Sequence, residues 1–200
     1  MKDKIFEFIK KVQAISHTGV TYSQCPYALD NYQELLGLST KMLHEYINSD
    51  VQPYNIYRDI YYPTPQPGIR VVIIENNKLL MAQDVDTPGE WTIPGGWCDI
   101  DLSPVETCVK EVKEETGFDI RVTKLLALMD RNKYTQSEIY NVYSIVFLAE
   151  IIGGKNSPNF EVNEVKFFAM DNLPKLSHKV TNKELEIILQ AYKSGEIFFE

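Results

Sequence analysis

Three carboxylates, Glu111, Glu114 and Glu115, follow a glycine pair, Gly95 and Gly96, in the stretch PGGWCDIDLSPVETCVKEVKEETGF that runs from Pro94 to Phe118. On a helix, side chains one turn apart lie roughly 5–6 Å from each other, so Glu111 and Glu115 share a face and Glu114 flanks them. Like charges held this close repel unless something positive sits between them. Oxygen donors with no histidine or cysteine among them suit a hard cation such as Mg2+, which takes oxygen ligands and keeps waters of its own. The same residues also read as a solvated acidic face relieved by Lys110 and Lys113. The glycine turn upstream weighs toward the metal.

The helix that must carry these acids is marked at both ends. Ser103, Pro104 and Glu106 form a capping box with proline in the first helical position, and Gly117 supplies a stop, giving expected limits of about Ser103 to Thr116. Val105, Cys108, Val109 and Val112 recur at three- and four-residue spacing as its apolar face.

The spacing from Gly96 to Phe118 resembles the Nudix box, a metal-binding signature of hydrolases that act on nucleoside diphosphates linked to another group. The resemblance implies that Glu111, Glu114 and Glu115 bind Mg2+ (or Mn2+), with help from a main-chain carbonyl near Gly95, and that the fold is an α/β/α sandwich around a mixed sheet. Two positions depart from the pattern: Leu102 stands where the family usually has glutamate, and Lys110 where it has arginine. Lysine keeps the charge and loses the planar two-pronged grip on a carboxylate. Asp99 and Asp101 are the neighbouring acids able to substitute for the one missing at Leu102, a choice the sequence leaves open.

The chain has 200 residues, 44% of them hydrophobic, which suffices for one sizeable domain and an appendage. No run approaches the ~18 apolar residues of a membrane span, and the charged first twenty residues do not read as a signal peptide, so the expected compartment is the cytoplasm. Cys25, Cys98 and Cys108 have no CxxC spacing, which argues against a disulfide framework or a structural zinc site, and Cys108 reads as a core residue. Of the net charge of −8, half falls between Gly95 and Phe118, where six acids meet two lysines. That balance suits a cation site and makes a general nucleic-acid binder improbable. Elbow, phosphate-loop and dinucleotide fingerprints are lacking. His17, His44 and His178 have no ligand spacing and read as packing or surface residues.

Taken in order, the chain opens with an amphipathic helix from Lys2 to about His17, a turn-rich stretch HTGVTYSQCPYA, and a second helix from about Leu29 to Asn48 in which Gly37 marks a bend. This helical appendage (1–50) buries little alone and must pack on the rest of the chain, on a second copy, or on both. The stretch AISHTGVTYSQCPYALDNYQEL is similar to the N-terminal segment of a Nudix subgroup that includes CDP-choline and ADP-ribose hydrolases, and the similarity implies a homodimer. Residues 51–68, rich in proline and tyrosine, read as a connector, with Tyr62 a candidate to line a nucleotide pocket. Residues 69–200 form the expected hydrolase domain: strands at Ile69 to Glu75 and Lys78 to Asp84 around an Asn76–Asn77 turn, long β-rich runs at Phe118 to Asp130 and Ile139 to Ile152, a strand at Glu164 to Met170, and a helix from Asn182 to Lys193.

Together these imply a Mg2+- or Mn2+-dependent hydrolase that splits a nucleoside diphosphate linked to X into a nucleoside monophosphate and phospho-X, with CDP-choline and ADP-ribose as the favoured substrates. A small-molecule nucleotide is then the partner. The general base falls to Glu164, with Glu161 its neighbour and Glu114 the other contender, while Arg70 and Arg131 are candidates for substrate phosphate. Two alternatives remain at this level: a catalytically weakened nucleotide-sensing domain, motivated by Leu102 and Lys110, and a nucleoside triphosphate pyrophosphohydrolase.

Overall fold

The computed structural model describes residues 3–47, 54–135 and 139–200. They fall into two compact units, one built from Met1–Pro65 with Gln136–Asn141, the other from Gln66–Thr135 with Val142–Glu200. Lys2, Asn48, residues 51–53 of the expected connector and 136–138 of the polar segment lie outside the described residues.

The helical unit holds α1 (Lys4–Tyr22) and α2 (Pro26–Ile47). Asp3 caps α1 by accepting from the Ile5 and Phe6 N–H groups. Phe6, Ile9, Leu43 and Ile56 form its buried core. Gln13, fully buried, donates to Thr40 Oγ1 at 2.9 Å and accepts from the Ile56 N–H at 3.1 Å, which ties the connector to both helices. His17 Nε2 donates to the Ile60 carbonyl at 2.6 Å while its Nδ1 accepts from Asn55 Nδ2 at 2.9 Å, the packing role expected of it.

Both helices run further than their composition suggests. The turn-rich stretch is largely helical, with the Thr18 and Thr21 hydroxyls satisfied by the Ala14 and His17 carbonyls one turn back, and Gly37 sits inside an uninterrupted α2. Gly19 answers a packing need: a Cβ there would lie 2.3 Å from Tyr32 Cγ on α2. Gly19→Ala is therefore expected to destabilise the helical unit by about 1–3 kcal/mol through overpacking. Gly37→Ala, with nothing within 4 Å of the added carbon, gains up to about 1 kcal/mol of helix propensity. Urea denaturation followed by circular dichroism checks both signs.

The second unit is a mixed sheet with helices on its two faces. Among the described residues its strand order is β5-β2-β1-β4-β3-β6, with β1 Gln66–Glu75, β2 Lys78–Asp84, β3 Phe118–Asp130, β4 Val142–Gly154, β5 Val162–Ala169 and β6 Phe198–Phe199. The pairs β1–β4 and β3–β6 are parallel, the others antiparallel. Asn76 and Asn77, both at positive φ, make the tight turn between β1 and β2.

Alternation along the strands sorts the core into two layers. Ile69, Val71 and Ile73 of β1 and Leu80 and Ala82 of β2 face Cys108 and Val112 of α3 (Pro104–Thr116). Val72, Leu79 and Met81 face Leu185, Ile188 and Leu189 of α4 (Asn182–Ser194). This is the expected three-layer α/β/α arrangement. The strand limits differ at β1, which begins at Gln66, at β4, which ends at Gly154 and begins at Val142 because Ile139 packs instead against the helical unit's core, and at β5, which runs Val162–Ala169. No helix among the described residues is long and apolar enough to cross a membrane.

Candidate metal centre

The acid-bearing helix forms as its ends dictate. Ser103 Oγ accepts from the Glu106 N–H at 3.2 Å, Glu106 Oε2 accepts from the Ser103 N–H at 2.8 Å, and Gly117 closes the helix at φ 79°. Cys108 and Val112 anchor one side in the core, which turns the glutamates toward the glycine turn.

That turn is stitched to β1. The Val71 and Ile69 N–H groups donate to Pro94 O and Gly96 O, each at 2.8 Å, and the Cys98 N–H donates to Pro67 O at 3.1 Å. Gly95, at φ 138°, donates its N–H to Glu115 Oε2 at 3.0 Å. Gly96 lies so close to Glu111 that a Cβ on it would stand 2.8 Å from Oε2. Turn and helix thus meet through the two outer carboxylates of the triplet.

Electrostatics at this junction favour a cation. Burial pushes the Glu115 carboxyl up to about 7, against the pull of the Gly95 N–H and Arg70. Burial likewise raises Glu111, opposed by Lys110 and reinforced by Glu114, Asp99 and Glu161. The Lys110 ammonium stands among the acids, 2.8 Å from Asp99, 3.3 Å from Glu114 and 3.7 Å from Glu111. Its hydrogen bond to Asp99, then that to Glu114, raises its pKa above the ordinary lysine value.

Among the described residues no three acidic, histidine or cysteine side chains already close on a single point. The donor set nevertheless fits a hard divalent ion: its side chains are all carboxylates, and the two raised by burial are those whose ionised forms an added positive charge would favour. Glu111, Glu114 and Glu115 are the residues that would hold it.

The remaining sequence candidates separate. Gly95 reaches the site through its N–H, and its carbonyl accepts from the Arg70 guanidinium. Arg70 is half-buried in the sheet unit, also donating to Lys179 O at 3.2 Å, so it braces the turn. Arg131 donates to His178 O at 2.8 Å and lies 3.5 Å from Glu184, with its side chain 12% exposed. Tyr62 lies in the helical unit, edge-on to Tyr22.

Glu164 sits 2.5 Å from Lys166, whose ammonium lies over the Trp91 ring in the α4-side layer. Val165 and Phe167, alternate to it, pack toward α3. Glu164 therefore stands on the sheet face opposite the box helix, while the charge of Glu161 reaches Glu111. Sequence reasoning also missed the buried Asp84, paired with Lys179 at 2.8 Å; an acid at the end of an apolar strand carries no spacing signal for such a partner.

Comparison with known proteins accords with this geometry. The NUDIX domain family matches residues 64–190, and the family described as "UDP-X-like, N-terminal oligomerisation domain" matches residues 3–54. A Bacillus subtilis protein named "Putative ADP-ribose pyrophosphatase YjhB" is 32% identical over 185 residues, covering 90% of this chain and 87% of its own. The crystal structure of a UDP-X diphosphatase superposes with a TM-score of 0.65 at 29% identity, covering 100% of both chains. That of an ADP-ribose pyrophosphatase from Streptococcus suis gives 0.61 at 36% identity, covering 68% of this chain and 100% of the other. The family match over residues 64–190 and the superposition of the whole chain agree with a sheet layered between helices, and the chain belongs to the Nudix family of hydrolases acting on pyrophosphate bonds.

Proposed function

We propose that this hydrolase uses Mg2+ or Mn2+ to split the pyrophosphate link of a nucleoside diphosphate joined to X, releasing a nucleoside monophosphate and phospho-X. The observation that carries this reading is the pair of half-buried Glu111 and buried Glu115, raised by desolvation and set against the glycine turn. ADP-ribose is the first substrate to test, supported by the names of two relatives, with UDP-linked compounds and CDP-choline beside it. A divalent ion bound here neutralises pyrophosphate oxygens, orients the group and acidifies water. Gly95 holds Glu115 in place through its N–H, and Arg70 fixes the Gly95 carbonyl from behind.

The proton of the attacking water goes to a carboxylate, and the reading that fits best assigns it to Glu161. Its field reaches Glu111, whereas Glu164 is engaged with Lys166 on the other face. Glu161→Gln is expected to lower kcat by about a hundredfold with little change in KM, and Glu164→Gln to stay close to the parent. The reverse order would return the role to Glu164.

The helical unit supports a homodimer. Ile5, Phe8 and Ile15 along α1 and Leu35, Leu38 and Met42 along α2 leave apolar stripes exposed, and the matching family model is described as an oligomerisation domain. Phe8→Asp, at a site 64% exposed, is expected to halve the mass measured by light scattering while the monomer stays folded.

The decisive assay is a panel of nucleoside diphosphate derivatives incubated with Mg2+ or Mn2+, with products identified by mass. A monophosphate plus phospho-X, lost on adding EDTA, is the expected result. Inorganic pyrophosphate released only from triphosphates would replace this reading with triphosphate cleanup, and nucleotide-induced thermal shifts without product would replace it with sensing.

A further inference from the structure

Lys110 creates a difficulty for the centre it adjoins. An ammonium is a compact charge on a flexible stem with three donors, free to bond several carboxylates at once. Here it stands 3.3 Å from Glu114 Oε2 and 3.7 Å from Glu111 Oε1, two of the acids that would hold the metal. A tethered cation one helical turn away competes with a dissolved one for the same oxygens.

The distances show what restrains it. Its shortest contact, at 2.8 Å, is with Asp99 Oδ2, a charge-assisted hydrogen bond in length, whereas its bond to Glu114 is longer, at 3.3 Å, and Glu111 stands at ion-pair range, 3.7 Å away. Asp99 projects from the loop that follows the glycine turn, an element separate from α3 and fixed to β1 by the Cys98 N–H bond to Pro67 O. Asp101, the other acid in that loop, sits at φ 66° in a turn and makes no ion pair with Lys110 among the described residues.

We propose that Asp99 is a positioning residue of the metal centre: its carboxylate draws the Lys110 ammonium away from Glu111 and Glu114 and leaves their oxygens to the divalent ion. This rests on the metal-dependent reading above. The Lys110 and Asp99 side chains are 41% and 40% exposed, so their pairing adds little to fold stability. The effect falls on metal binding.

Mn2+ affinity, measured by electron paramagnetic resonance of the free ion with no nucleotide present, tests this. Asp99→Asn is expected to raise the Mn2+ Kd about tenfold, and Asp99→Glu to recover most of the loss. In a Lys110→Met background the same Asp99→Asn change is expected to cost no more than about twofold, because the ammonium it restrains is gone. The Tm without metal stays unchanged throughout. An equal loss in both backgrounds would make Asp99 a simple contributor of negative field and overturn the proposal, as would no loss in the parent background. Failure of the unsubstituted protein to bind Mn2+ would overturn the metal reading as well, which separates the two.

Discussion

Glu115→Gln is expected to lower metal-dependent hydrolysis by more than about a hundredfold while leaving the metal-free protein folded and, at neutral pH, more stable than the parent. Glu115 is 7% exposed, its Oε2 accepts from the Gly95 N–H at 3.0 Å, and burial lifts its pKa from 4.5 to about 7. An acid raised on folding keeps its proton in the folded state over a range where the unfolded chain has released it. Stability therefore falls as pH rises from about 4.5 to about 7. Below that window both states are protonated and the penalty is absent; above it the penalty is complete, at most on the order of 3 kcal/mol. Glutamine keeps an oxygen for Gly95 and carries no charge, so its curve lacks this slope. Thermal denaturation of both proteins across the window in EDTA, with product analysis in Mg2+, checks the two halves together. Parallel stability curves would remove the buried charge from the account, and full turnover by the variant would remove Glu115 from the metal site.

What the sequence made legible was what local chemistry decides. Ser103, Pro104, Glu106 and Gly117 mark the box helix within a few residues of themselves, and its limits agree with the structure to one residue. The two-layer core follows from alternation along β1 and β2. Gly19 shows the opposite case: its place in a threonine-rich stretch reads as a turn, whereas its reason is the Tyr32 ring on α2.

Site residues divide in the same way. Glu111, Glu114 and Glu115 are legible because helix periodicity places them. Asp99 meets Lys110 only because the glycine turn is bonded back onto β1, and Arg70 meets the Gly95 carbonyl for the same reason. Glu164 sits in the regular ladder opposite Gln83, and the register shift between Gln83 and Asp84 falls just beyond it, so the facing of Glu161 relative to Glu164 depends on that shift. A shift of one residue moves a side chain to the other face, so no reading of the segment NFEVNEVKFF alone could choose between Glu161 and Glu164.

Gly95→Ala is expected to be among the most damaging single methyl additions in the chain. At φ 138° an L side chain is strained whatever the space, at a cost of about 1–3 kcal/mol. Space is also lacking: the new carbon would stand 2.3 Å from Ile69 O and 2.9 Å from Arg70 Cα, both backbone atoms of β1. β1 cannot yield without breaking the bonds from Ile69 and Val71 to Gly96 and Pro94, so strain and overpacking add, and a loss of at least about 2 kcal/mol follows. Whatever fraction still folds has the Gly95 N–H displaced from Glu115, so excess Mg2+ does not restore activity. Gly89→Ala supplies the control, since Gly89 is at φ 84° with nothing within 4 Å and loses only about 1 kcal/mol. Denaturation of the three proteins side by side therefore separates what positive φ costs from what the close approach of turn to strand costs. Equal losses at 95 and 89 would mean that the turn does not lie against β1 closely enough to fix Glu115.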